Sequence, residues 1–398
     1  MKKIVAISLT LFASQAFATG YSKPVNVGAK AMGMGGAFVA VADDTTAIFH
    51  NPAGMSQLKK DHNLQLGVDT MFAKLRYEPI AAPVEMSDSR IFPLPNFGYV
   101  NRQLGPVSFG LGLYMPHGNG NKFSVPASNP TDPNEGMLYS MEIDPAVSFE
   151  VIKGLSLGAS LRITRISLNI KGQPLQLAPA VFDMLNEIDV SGWTYGAAAG
   201  FLAQPTDWLS IGGNYRSKVS KKLSGNGDLA TLGAFDADID VTLPTLITGG
   251  FAAQATDRLL LSFQYGFERN SEVKAFTVTS PDIGGAPATL PIAQNWKDSH
   301  TYHFGMKYDV LKTLGIVAGY ARDFNASIPG TTISRVSGDF DCHETSAGLI
   351  MDLGRYNAGL AWNGRWGSHV YPTGPGINAP GRYQAFLHTI SANVGFSL

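Results

Sequence analysis

From residue 64 to the C-terminus, segments that alternate apolar and polar residues are joined by gaps that are by turns short and long. A closed transmembrane β-barrel has that rhythm, because tight turns line one rim, long loops line the other, and each strand keeps one face in lipid. The short connections are Leu104-Gly105, Lys153-Gly154, Pro205-Thr206-Asp207, Ala255-Thr256-Asp257, Leu311-Lys312-Thr313 and Gly354. Stretches rich in Gly, Pro, Asn and Ser lie near 77–93, 116–137, 172–192, 222–237, 276–295, 327–341 and 367–382. Six turns and seven loops connect fourteen strands.

The segments carry the two-residue period of a strand with unlike faces. In Leu155-Ser156-Leu157-Gly158-Ala159-Ser160-Leu161 every second residue is apolar, and the last segment sets Ile390, Ala392, Val394, Phe396 and Leu398 against Thr389, Ser391, Asn393, Gly395 and Ser397. One soluble sandwich strand could look like this, but its turn lengths would not alternate around the whole chain. At the N-terminus, Lys2 and Lys3 precede the apolar run Ile4 to Ala13, and Ala16-Phe17-Ala18 has the small-x-small pattern of a cleavage site. Residues 1–18 are therefore expected to be a signal peptide. No other stretch reaches the roughly twenty apolar residues of a spanning helix, and in lipid only a closed barrel otherwise satisfies every backbone group. The expected location is the outer membrane of a Gram-negative cell, with Tyr99, Tyr114, Trp193, Trp208, Trp296 and Trp362 suited to interfacial belts.

A net charge of −1 gives no bulk electrostatic case for nucleic acid. The single cysteine, Cys342, excludes an intrachain disulfide and a cysteine-based zinc cluster. No metal or cofactor is expected. A lumen fourteen strands wide cannot be filled by wall side chains alone. Residues 19–60 offer a plug: Gly28 to Asp44 and then Asn51-Pro52-Ala53-Gly54 mix small residues, short helical runs and a proline turn without sustained alternation. Residues 61–398 would then form the barrel.

With Gly35-Gly36-Ala37, Asp43-Asp44 and Asn51-Pro52-Ala53 in that order, the chain resembles the FadL family of outer-membrane transporters of long-chain fatty acids and other hydrophobic compounds. Gly110-Leu111-Gly112-Leu113-Tyr114-Met115-Pro116, Asp144-Pro145-Ala146-Val147 before Leu155, and Trp296-Lys297-Asp298 before His303-Phe304-Gly305 extend the likeness over nearly the whole mature chain. The resemblance implies an all-β, fourteen-stranded barrel closed by an N-terminal hatch. It also implies passive uptake of a hydrophobic ligand that leaves sideways through the wall. Long-chain fatty acid is the first expectation for the ligand and a neutral aromatic hydrocarbon the alternative. Outer-membrane lipid, lipopolysaccharide and the barrel-assembly machinery are the expected surroundings of a monomer.

Site residues follow from the same reading. Asn51, Pro52 and Ala53 are expected where the hatch faces the wall opening, although Asn-Pro also begins ordinary turns. Gly110, Gly112 and Pro116 could weaken the ladder of the third strand, or Pro116 could simply open a loop. A carboxylate head group would need a cation, and the resemblance points to Arg165 and Lys297. Strict alternation from Leu155 turns Arg162 inward instead, so an inward Arg165 requires a bulge; both cations could equally sit at the rim. Leu177, Val181, Phe182 and Leu185 fall at helical spacing in an apolar loop and could form an outer capture groove, or pack on neighbouring loops.

An outer-membrane lipase or protease is the rival enzyme class. Ser299 and His300 are adjacent, yet consecutive strand residues face opposite ways, and no H-E-x-x-H spacing supports a zinc hydrolase. A general porin would have an open polar lumen rather than a forty-residue insert, and a structural barrel or adhesin would have no use for one. No catalytic residue is expected.

Overall fold

The computed structural model describes residues 26–80, 85–123, 134–178, 181–283, 286–294, 296–327, 341–373 and 380–398; the leader reading falls outside them. Fourteen staves form one antiparallel sheet, closed where the last pairs with the first from Asn63 opposite Ser397 to Pro79 opposite Gly381. The first six are β1 (His62–Pro79), β2 (Arg90–Leu104), β3 (Val107–Phe123), β4 (Asn134–Ile152), β5 (Leu155–Ala178) and β6 (Val181–Thr206). The next four are each interrupted: β7 (Leu209–Arg216, Val219–Leu229), β8 (Gly233–Leu243, Leu246–Thr256), β9 (Leu259–Glu268, Ala275–Ile283) and β10 (Ala286–Ala293, Ser299–Leu311). The last are β11 (Leu314–Asp323), β12 (Cys342–Asp352), β13 (Tyr356–Tyr371) and β14 (Gly381–Ser397).

Alternation sorts the faces. In β3, Phe109, Leu111 and Leu113 are exposed on the outer surface, where lipid would solvate them, while Ser108 and Tyr114 are buried inside. The short turns fall where the sequence indicates, at residues 105–106, 153–154, 207–208, 257–258, 312–313 and 353–355. Gly105, Gly154 and Gly354 turn there with positive φ of 67°, 83° and 83°, a conformation that a side chain would strain.

Three of the expected long loops are corrected. Residues 172–192, 222–237 and 276–295 lie mostly in strand, and β5 and β6 run 24 and 26 residues and stay paired out to Ala178 opposite Val181. Their glycine, proline and asparagine content suggested loop, but the inward set keeps its two-residue period through Ile188 and Val190 and through Phe235, Ala237, Ile239, Val241 and Leu243. The helical reading of Leu177, Val181, Phe182 and Leu185 fails for the same reason: all four have strand backbone, and Leu185 points into the barrel. The side chains of Leu177, Val181 and Phe182 fall outside the described ones. Trp193, Trp208 and Trp362 lie on the exterior, whereas Tyr114 and Trp296 point inward and belong to no belt.

Inside the barrel sit α1 (Ala29–Gly33), α2 (Ala47–His50) and a 3-10 turn (Pro52–Gln57). Helices of five and four residues are too short to persist alone. Burial of Met34, Phe38, Ile48 and Met55 against the wall is what orders them. Above this plug, away from the short turns, a large apolar cluster from β4 to β10 fills one side of the barrel, including Leu138, Ile166, Leu168, Leu223, Phe276 and Trp296. A smaller one, with Leu75, Tyr77, Phe123, Tyr371 and Tyr383, fills the other.

Candidate functional site

Between β2 and β3 the wall loses its ladder. Pairing runs from Leu104 opposite Val107 to Phe97 opposite Leu113 and then stops. It resumes only with the bridge of Ser87 to Phe123 and the Asp88 N–H bond to the Lys122 carbonyl, 2.7 Å. Pro93 and Pro95 of β2 and Pro116 of β3 lie in this stretch, and none can donate a ladder hydrogen bond. The β3–β4 register also slips between Tyr114 and His117, which puts a bulge at Met115-Pro116. The glycines are not the cause: Gly110 pairs with Val100 and Ala146, and Gly112 with Gly98 and Asp144. Both face inward, and a Cβ at Gly110 would lie 2.5 Å from Met55 Sδ, so that glycine admits the plug. Side chains seal the gap instead of backbone. Leu94 is buried over Gly118, where a Cβ would meet Leu94 Cδ2 at 2.7 Å.

By register, residues 117–123 face Asn134 to Ser140 of β4, the level of Leu138 and the large apolar cluster, with Tyr114 opposite Glu142 just below. Below that level the lumen becomes polar. Glu142 of β4 accepts from Arg162 of β5 at 2.6 Å and from Arg216 of β7, all three nearly fully buried. Across the lumen Arg365 pairs with Asp323, and its Nε lies 3.5 Å from Glu344. Asp69 of β1 accepts from Asn96 Nδ2 at 2.9 Å, from the Gly28 N–H at 3.3 Å and from Ser391 Oγ. A descending apolar solute would have to desolvate this belt or break it, at several kcal/mol per ion.

The plug is fastened to the belt. Arg216 Nη1 donates to the Phe49 carbonyl at 3.1 Å, and its guanidinium stacks 4.1 Å from the centre of the Phe49 ring. Asn51 Oδ1 accepts the Ala53 N–H at 3.2 Å, while Nδ2 donates to the carbonyls of Val39 at 2.8 Å and Phe201 at 2.9 Å. Pro52 and Ala53 lie against Gly158, which pairs with Gly200; a Cβ at either glycine would sit 2.2–2.4 Å from this turn. Asn51-Pro52-Ala53 thus docks on β5–β6 and not at the β2–β3 opening. The bare glycine pair is what lets the backbone approach there. Thr45, Ile48 and Met55 face the opening's strands at Gly98 and Gly110.

Burial lowers the imidazole of His50 to about 4, against the bond between Nε2 and the Val27 carbonyl at 2.9 Å. Burial first, and then the Asp43 carboxylate, raise Asp44. A cavity of about 130 Å³ lies over the plug between His50, Arg216, Gln264, His303 and Arg365. A second of about 740 Å³ opens at the short-turn rim beside Lys30, Asp43 and Lys60.

Neither expected head-group cation faces these spaces. Arg165 is exposed on the exterior, 5.8 Å from the ring of Trp193, since no bulge in β5 reverses the parity and Arg162 is the inward residue. Lys297 is likewise exposed. Of the expected residues, the structure brings together Asn51, Pro52, Ala53 and Gly110 at the plug and leaves Pro116 in the wall gap. Sequence reasoning missed Glu142, Arg216, Asp69 and Leu94. The signal was available in part: Glu142 and Asp144 hold inward parity in β4, where a charge is costly unless it is used.

Comparisons with known proteins agree with this architecture. The sequence profile of the family described as outer membrane protein transport protein (OMPP1/FadL/TodX) matches residues 9–348. A protein of Neisseria meningitidis serogroup B described as a putative outer membrane protein is 23% identical over 381 residues, covering 81% of this chain and 80% of its own. A FadL homologue of Pseudomonas aeruginosa superposes with a TM-score of 0.79 at 18% identity, covering 96% of this chain and 100% of its own. The toluene transporter TbuX of Ralstonia pickettii gives 0.75 at 18%, covering 94% and 98%. At such identities these structures speak for the fold.

Proposed function

Because this chain belongs to the OMPP1/FadL/TodX family of outer membrane transport proteins, we propose that it takes up hydrophobic compounds and releases them sideways into the bilayer between β2 and β3. The observation that carries this is one of level: the ladder is missing beside the apolar interior and above the charged belt. An apolar solute finds favourable surface as far down as the gap and unfavourable surface below it. The wall is therefore its cheapest exit. Uncharged solutes fit better than fatty acids, because Arg165 and Lys297 face outward and the interior arginines 162, 216 and 365 already have carboxylate partners. The toluene transporter TbuX named above carries such a solute, which supports the same choice.

Catalysis has no support in the geometry: Ser299 is buried inside and His300 lies on the exterior, bonded to Tyr265 at 2.6 Å. The test is a tether. Leu94→Cys with Gly118→Cys, in a Cys342→Ser background, should stop entry of labelled toluene into proteoliposomes when oxidised and restore it on reduction. Full uptake through the oxidised protein would eliminate the sideways route.

A further inference from the structure

Toward the long-loop end, the described outer surface carries five pairs of one kind, and one more, His62 stacked on Tyr99, lies at the short-turn rim. Arg165 lies 5.8 Å from the ring of Trp193, and Arg322 lies 5.1 Å from that of Phe324. His343 stacks on Trp366 and His388 on Trp362, each with centroids 6.0 Å apart, and His300 stacks on Tyr265 at 5.8 Å. The basic members come from β5, β10, β11, β12 and β14, yet each stands eight to eleven residues beyond the short-turn end of its strand. At ~3.3 Å per residue, with strands tilted ~40°, that is roughly 20–28 Å above the turns, the top of an apolar band about 25 Å tall.

An aromatic ring at this height is expected of any barrel; a basic group fixed to each ring is not. Two of the imidazoles are oriented: the Tyr265 phenol meets His300 Nδ1 at 2.6 Å, and the Tyr320 phenol meets His343 Nδ1 at 2.8 Å. With the phenol donating, Nε2 carries the hydrogen and is the ring's remaining donor. Among the described residues, the one carboxylate paired with any of the five basic groups is Asp341, 2.9 Å from Arg322. The belt therefore offers donors and positive charge at the height of lipid head groups, backed by planar rings that can lie on acyl chains.

We propose that this belt binds the phosphates of a phosphorylated glycolipid in the outer leaflet. Each arginine near an anionic membrane surface strengthens binding by ~5-fold, and the rings hold the side chains in place against the entropy of ordering them. The interaction does not depend on what passes through the lumen, so it stands or falls apart from the transport reading.

Native mass spectrometry of the detergent-purified full chain can measure retention of bisphosphorylated lipid A, the same lipid dephosphorylated, and phosphatidylcholine. The phosphorylated form should be retained preferentially. Arg165→Gln should lower its retention ~5-fold, and His343→Gln with His388→Gln should lower it further. Trp366→Leu should also lower it, because the ring positions His343. Heat-modifiable migration on a gel shows that each variant still folds. Equal retention of the phosphorylated and dephosphorylated lipids, or variants indistinguishable from the parent, would overturn the proposal. Displacement by millimolar inorganic phosphate would overturn it too, since the belt would then be a site for the free anion.

Discussion

Asn51 donates from Nδ2 to the carbonyl of Phe201 at 2.9 Å, fastening the plug to the wall across 150 residues of sequence. The same side chain bonds Val39 O and Ala53 N–H, so it closes the plug's own turn and anchors it with one amide. Asn51→Ala would orphan two carbonyls and one N–H in a buried site. At ~1–3 kcal/mol for each group left unsatisfied, partly recovered by relaxation, the plug should lose about 3 kcal/mol. Hydrogen exchange of residues 26–58 should quicken while wall protection holds. Sugar leak in a liposome-swelling assay should rise.

Among the described residues, Glu142 is the one carboxylate bonded to both Arg162 and Arg216. Glu142→Gln would leave two guanidiniums in the lumen with a neutral partner. Removing one member of a buried pair costs ~3–5 kcal/mol, and because Arg216 also holds Phe49, the plug should loosen as well. Denaturant unfolding of refolded protein measures the first effect and proteolysis within residues 26–58 the second. A triple replacement, Glu142→Leu with Arg162→Leu and Arg216→Leu, should be the milder change for the barrel, since apolar substitutes for a whole buried ion cluster are tolerated better than the loss of one member.

The barrel was legible from the chain and its height was not. Short turns are visible because glycine and polar residues must break the alternation within two or three positions. The outer ends of β5 to β10 were misread because Gly, Asn and Pro at polar positions look like loop while the apolar inward set, Phe235 to Leu243 for example, continues through them. Arg162 and not Arg165 was indicated by parity alone; the family likeness pulled the other way. The docking of Asn51-Pro52-Ala53 on Gly158 and Gly200 could not be read, because it depends on which two of many glycines become neighbours only after the strands pair.

Protonation should loosen the plug. His50 has its folded value lowered from 6.5 to about 4, by burial first and then by Arg216 and His303. Phe38, Phe49 and the Val27 carbonyl complete its surroundings. A lowered base favours the folded plug fully above about 6.5, and that contribution fades as pH falls toward 4, where the plug must either bind a proton at a cost or release the ring. Exchange of residues 26–58 should therefore accelerate between pH 6.5 and 4.5. His50→Gln should flatten the dependence; an unchanged profile would assign it to another group.

Leu94 separates a structural from a gating reading of the wall gap. It is a buried leucine in β2 whose side chain covers the bare backbone of Gly118, where ladder bonds would otherwise close the wall. Leu94→Ala should cost about 2–3 kcal/mol, as truncations of buried leucine do. If Leu94 only packs, the weakened barrel should transport no better than the parent. If it is the seal, labelled toluene should enter proteoliposomes faster despite the lost stability, with sugar leak unchanged because the plug is untouched. Gly118→Val makes the converse case: its Cβ would collide with Leu94 Cδ2 at 2.7 Å and wedge into the opening, so uptake should fall. Opposite effects of the two variants on toluene entry are expected; a fall in both would mean that solute leaves by another part of the wall.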